Sequence, residues 1–207
     1  RCLDVTGLAC ERGDLLLFEE LSFRLGAGEA LHVAGRNGAG KTSLLHLIAG
    51  LGWPLAGEIR WAGRDTRADP LRWRNDFTLI AHAPMLKDVL TPVANLRFAL
   101  ALQGQSVDAK RIESALETLG LAGCEDLPCR SLSAGQKRRV SLARLLLSST
   151  PVWLLDEPLT ALDVDGRAII GQAIDRHLAD GGLVIYTSHH PVPLADGARQ
   201  STLEIGR

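Results

Sequence analysis

Residues 35–42 read GRNGAGKT. They follow ALHVA (30–34), an apolar run fit for a short buried strand, and they open a run from Thr42 to Ala49 that has helical spacing and closes at Gly50. Strand, glycine-rich turn and helix form the context in which G-x-x-x-x-G-K-[ST] holds phosphate. Gly35, Gly38 and Gly40 let the backbone close around phosphate oxygens, so successive N–H groups along Arg36, Asn37 and Ala39 point inward. The helix N-terminus adds its partial positive charge. Lys41 is placed to reach the β- and γ-phosphates of a nucleotide, the Thr42 hydroxyl to ligate Mg²⁺, and Ser43 to help with the α-phosphate. A glycine-rich turn that merely caps a helix explains less of the pattern.

A second feature completes a hydrolytic site. VWLL (152–155) reads as a buried strand that delivers Asp156 and Glu157 at its carboxyl end, before Pro158 turns the chain. Open parallel sheets bind ligands at that end. Adjacent carboxylates there are costly unless a cation or hydrogen bonds compensate. Asp156 therefore reads as the second Mg²⁺ contact, through water, and Glu157 as the general base that polarises the attacking water. LVIYT (183–187) is one more buried strand, and TSHH follows it. His189 is the residue expected near the γ-phosphate, with His190 as its confounding neighbour.

Composition narrows the classes. The chain has 207 residues, enough for one domain with a real core, and 46% of them are hydrophobic. Its 23 basic and 24 acidic residues leave a formal net charge of −1, which argues against nucleic acid as a charge-driven partner. No run of 18 uncharged apolar residues occurs, so no membrane span is expected. No signal peptide opens the chain, and a start at Arg1 leaves room for a few further native residues. Cys2, Cys10, Cys124 and Cys129 make no C-x-x-C pair and read as reduced thiols rather than a metal or redox site.

Along the chain, residues 3–8, 16–25, 58–63 and 77–81 also read as strands. Residues 84–130 change character. Pro84, Pro92 and Gly104 punctuate them, and Ala109, Ile112, Ala115, Leu116 and Leu119 recur at helical spacing until Gly120. That marks a mostly helical insert. Gly166 to Ala179 reads as an amphipathic helix. Strands alternating with helices imply an α/β core with parallel strands.

Residues 132–136 read LSAGQ, at the head of a helix that runs on through KRRVSLARL. Ser133-x-x-Gln136 satisfies the capping-box pattern by itself. Gly135 weighs against capping alone, because Gly is a poor helix former and points to close approach by a partner. Ser133, the Gly135 N–H and the helix dipole together make a second phosphate grip. The first grip already serves any nucleotide bound to this chain, so the second makes sense on another copy's nucleotide.

GRNGAGKT, LSAGQ, VWLLDEP, ALD (161–163) and the His after the last strand resemble, in order and spacing, the nucleotide-binding domain of ABC transporters. The resemblance covers essentially the whole chain. It implies a P-loop NTPase of α/β class with an antiparallel β-subdomain and a helical subdomain at about 84–147, all within a single ABC ATPase domain spanning 1–207. It implies ATP and Mg²⁺ as cofactors and an ATP-sandwich homodimer in which Ser133, Ala134, Gly135 and Gln136 grip the partner's ATP. Asp163 would couple the two sites across the interface. Hydrolysis would drive an integral membrane permease through the segment near 82–98. More narrowly, CERGDLLLFEELSF, NLRFAL and LPCRSLSAGQKRRVSLARL in so short a chain resemble the ATP-binding subunit of the bacterial haem exporter of cytochrome c maturation, which works peripherally at the cytoplasmic face of the inner membrane.

Two departures stand out. Members usually carry Gln after the strand at 77–81, where this chain has Ala83 beside His82. Many also stack adenine on an aromatic before the second strand, and that place falls near Arg12, whose guanidinium plane is the group expected to contact the base. The alternatives are the ATPase of another small ABC exporter, a soluble ABC ATPase without a permease, and a small-metabolite kinase. A soluble member is expected to carry tandem domains, a long coiled coil or basic surfaces, and a kinase is not expected to carry LSAGQ.

Overall fold

The computed structural model describes residues 1–206, so only the last position of the 1–207 span lies outside the described residues. β1 (Cys2–Arg12) and β2 (Leu15–Gly26) form a long bulged hairpin. β3 (Glu29–Ala34) leaves this layer for a second sheet. β4 (Ala56–Trp61) and the two-residue β5 (Arg64–Asp65) complete the first, antiparallel sheet in the order β2-β1-β4-β5. β6 (Phe77–Ile80), β7 (Val152–Asp156), β8 (Leu183–Thr187) and β9 (Arg199–Glu204) join β3 in the order β6-β7-β8-β3-β9, with every pair parallel.

The parallel sheet is covered on both faces, which is why its strands read as continuous apolar runs. In β7, Val152 and Leu154 join the core that faces the antiparallel sheet, while Trp153 and Leu155 join the core on the other side. β8 splits the same way, Leu183 and Ile185 against Val184 and Tyr186. α1 (Lys41–Ile48) lies between the sheets and buries Leu44, Leu45 and Ile48 completely, each worth roughly 1.5–3 kcal/mol relative to exposure. α2 (Pro70–Asp76) seats Trp73 under it, the indole N–H donating to Ile48 O at 2.7 Å. α3 (Pro92–Ala101), α4 (Ala109–Thr118), α5 (Ala134–Leu147) and α6 (Val164–Ala179) supply the opposite core.

Several elements depart from the sequence reading. β1 and β2 run further than 3–8 and 16–25, because the ladder continues through Ala9 and Cys10 to the exposed Glu11, Arg12 and Leu15, where strict alternation has stopped. β9 (RQSTLE) escaped because it is a largely polar edge strand. Pro92, read as punctuation, is the first residue of α3 under a Thr91 cap, and Asp69-Pro70 starts the short α2 in the same way. α6 begins at Val164 rather than Gly166, since Asp163 Oδ1 accepts from the Gly166 N–H at 3.0 Å.

Candidate active site

The strand order sets β3 and β7 on either side of β8 with all three parallel, so the residues that follow them emerge along one edge. That edge is the crevice where open α/β sheets take ligands. Residues 35–40 follow β3 as a loop and lead into α1. A Cβ at Gly35 (φ 149°) would lie 2.5 Å from Ile205 O, a backbone atom beside the end of β9, so glycine is required there. α1 is capped only by Gly40 in the left-handed region, with no side-chain hydrogen bond. Among the described residues every other α-helix starts under a side-chain cap: Asp69, Thr91, Asp108, Ser133 and Asp163. The first amides of α1 are left to serve an anion. Lys41 is buried, and its Nζ donates to Gly35 O at 2.7 Å and Arg36 O at 3.1 Å.

The loop meets the strand-end carboxylates directly. Thr42 Oγ1 donates to Asp156 Oδ2 at 2.8 Å. Thr187 Oγ1, from the end of β8, donates to Asp156 Oδ1 at 2.6 Å and accepts from the Glu157 N–H at 3.0 Å. These bonds offset the desolvation of the buried Asp156. Glu157 adopts φ 50°, the left-handed region, which turns its side chain out of the strand line. Its carboxylate accepts from Thr160 Oγ1 at 3.2 Å and lies 3.7 Å from His189 Nε2. An open cavity of about 650 Å³ lies over Glu157, Thr160, Ala161, Ser188 and His189. His190 also lines it, and its carbonyl accepts from Ser188 Oγ. Thr187 was missed in the sequence. A lone threonine at the end of a strand carries no signal until register places it opposite Asp156.

LSAGQ sits apart from residues 35–43. Ser133 Oγ accepts from the Gln136 N–H at 3.1 Å, and Gln136 Oε1 accepts from the Ser133 N–H at 2.9 Å, so the capping box is formed within the chain. Ser133 and Ala134 are exposed. A Cβ at Gly135 would meet nothing nearer than 4.0 Å. Nothing inside this chain demands glycine there. Asp163 is used locally, capping α6 and pairing with Arg139 Nη2 at 2.8 Å. His82 and Ala83 are exposed beyond β6, and Ala83 brings no oxygen to the edge. Arg12 is exposed at the end of β1, paired with Leu15 across the hairpin turn. The hairpin abuts the loop, since Leu17 and Phe18 lie against Gly40. Cys2, Cys10, Cys124 and Cys129 are all free, and burial pushes the Cys10 and Cys129 thiols up. Among the described residues no group of three or more His, Cys, Asp and Glu is gathered as a metal site.

A glycine-rich loop before an uncapped helix, tied through Thr42 to a strand-end Asp-Glu pair, is nucleotide-hydrolysing geometry. The ABC transporter family model matches residues 18–160, from within β2 to just past Glu157. The chain belongs to the ABC transporter ATP-binding family. This ABC ATPase is 48% identical over 197 residues to the cytochrome c biogenesis ATP-binding export protein CcmA of Methylococcus capsulatus, covering 95% of each chain. It is 45% identical over 204 residues to the protein of the same name from Vibrio cholerae, covering 99% of this chain and 98% of that one. A solved ATP-binding subunit of an ABC transporter superposes with a TM-score of 0.86 at 27% identity, over 99% of this chain and 86% of that one. As a member of the family, the ABC ATPase binds and hydrolyses ATP.

At the hairpin turn Arg12, Leu15 and Leu16 are exposed, so these are the groups the expected base contact near Arg12 would use. Such surfaces stack without reading base edges. ATP and GTP are expected to be hydrolysed with kcat/KM values within about threefold of each other, since stacking tolerates any base. A strong ATP preference in paired assays counts against this use of Arg12.

Proposed function

We propose that this ABC ATPase powers haem export for cytochrome c biogenesis, as a homodimer bound to integral membrane permease subunits at the cytoplasmic face of the bacterial inner membrane. The observation that carries the reading is the near end-to-end identity with proteins named as cytochrome c biogenesis export proteins. No helix among the described residues is long and apolar enough to cross a membrane, so any transport path belongs to partner chains. An apolar cleft of about 580 Å³ supports a docking role for the segment near 82–98. Trp53, Leu71, Met85 and Phe98 line it and are 84%, 76%, 65% and 44% exposed. Contiguous exposed apolar surface of this kind marks an interaction site.

In this reading the amides of residues 36–43 and Lys41 hold the ATP phosphates. The exposed Ser133 and Ala134, with the half-buried Gly135 and Gln136, close on the nucleotide of the partner copy, and Asp163 lies beside that interface. Glu157 accepts a proton from the water that attacks the γ-phosphorus, and the bond from that phosphorus to the bridging oxygen of ADP breaks. His189, whose Nε2 lies 3.7 Å from the Glu157 carboxylate, contacts the γ-phosphate. The Thr42 hydroxyl and Asp156 carboxylate are hard oxygen donors 2.8 Å apart, a set that suits Mg²⁺ when phosphates and water complete its shell. Bound there, Mg²⁺ would neutralise charge on the β- and γ-phosphates.

The test is purification from native membranes. The tagged chain is expected to bring integral membrane proteins with it. Met85→Asp with Phe98→Asp should weaken that association at least about tenfold, from the apolar burial lost, and leave ATP binding intact. A chain that purifies alone, fully active and indifferent to these changes, is a soluble ATPase instead.

A further inference from the structure

Arg138 lies five residues into α5, next but one to Gln136, and is 4% exposed. Its sequence context reads as a basic turn, yet its guanidinium is turned inward. Nη1 donates to Ala81 O at 2.5 Å and His82 O at 3.2 Å. Nη2 donates to Asp156 O at 2.9 Å and Glu157 O at 2.7 Å. One side chain thus spans the carboxyl ends of β6 and β7 through four backbone carbonyls. The sheet ladder does not do this, because the β6–β7 pairing that starts at Phe77 and Val152 ends at Ile80 and Leu155, before the residues Arg138 bonds. Among the described residues no carboxylate oxygen forms an ion pair with the guanidinium; burial pulls its pKa down, against the opposing charges of Asp156 and Glu157. Tying two loops together does not need a buried charge, which is expensive in itself. What the charge and the planar fork add is a rigid, multi-donor hold on a strained residue. Glu157 sits at φ 50°, fixed at its N–H by Thr187 and at its carbonyl by Arg138.

We infer that Arg138 is a positioning residue that holds Glu157 in its catalytic conformation and joins it to α5, the helix headed by Ser133–Gln136, and to the backbone at Ala81 and His82. This rests on the reading of Glu157 as general base. Any shift of α5 when Ser133 and Gly135 engage a nucleotide is delivered to Glu157 by a single side chain.

The experiment compares Arg138→Gln and Arg138→Lys in the full chain, each alone and combined with Glu157→Gln. Gln offers two donors and Lys a single nitrogen, so neither spans both loops. ATP affinity and KM are expected to stay within about twofold of native. The kcat should fall about a hundredfold for Gln, the scale of a ~1 Å misplacement, and about tenfold for Lys. Because Arg138 acts through Glu157, Arg138→Gln/Glu157→Gln should be no slower than Glu157→Gln alone. Native kcat in Arg138→Gln overturns the proposal, as does equal loss of ATP affinity and kcat, or an additive double variant. If Arg138→Gln does not fold, Arg138→Lys decides, with a lowered kcat at unchanged KM in favour and a native kcat against. Glu157→Gln turning over at the native rate removes the general-base reading, and that single-variant result separates its failure from failure of the Arg138 link.

Discussion

Lys41→Ala is expected to abolish nucleotide binding at concentrations where the native chain is saturated. Lys41 is buried at the start of α1, with its ammonium held between the carbonyls of Gly35 and Arg36. In the proposed mode it serves the β- and γ-phosphates at close range from this partly desolvated loop. Charge-assisted hydrogen bonds contribute roughly 1.5–3 kcal/mol each, so losing two raises Kd by about 10²–10⁴. Helix packing should survive, since Leu44, Leu45 and Ile48 anchor α1 independently. Titration with a fluorescent ATP analogue, alongside a melting curve, checks both points. A Kd within threefold of native would remove Lys41 from the binding site.

Glu157→Gln is expected to cut kcat by about 10²–10⁴ while ATP binding persists, the usual range for loss of a general base. The change keeps the side chain's size and the acceptor for Thr160, and it leaves the backbone bonds to Thr187 and Arg138 untouched. What disappears is a negative charge and a proton acceptor beside His189. Removing that charge near the γ-phosphate should hold or improve ATP affinity. Single-turnover hydrolysis measured beside equilibrium binding separates the two effects. A kcat within tenfold of native would assign the proton to another group.

Strands buried on both faces were the most legible part of this fold. Val152–Leu155 and Leu183–Tyr186 read directly because both side-chain rows are apolar. β9 did not, because its polar residues enter a sheet only by pairing with β3. The loop at 35–42 was legible as chemistry because one contiguous segment supplies the glycines, the lysine and the hydroxyl. Thr187 and Arg138 were not, because they work on residues 30 to 31 and 18 to 57 positions away and carry no local pattern. LSAGQ was legible in two ways at once. The structure supplies the cap, with Ser133 and Gln136 bonded to each other, and still leaves Gly135 with no reason of its own inside the chain.

That unexplained glycine is the centre of the account, since the sandwich requires a second copy to approach it. The most direct measurement is light scattering on Glu157→Gln during size-exclusion chromatography, with and without MgATP. The account predicts a monomer alone and a dimer with MgATP, and a monomer under both conditions once Ser133→Arg is added to the same background. A Glu157→Gln chain that stays monomeric with ATP demonstrably bound, or a Ser133→Arg variant that dimerises as before, would contradict it.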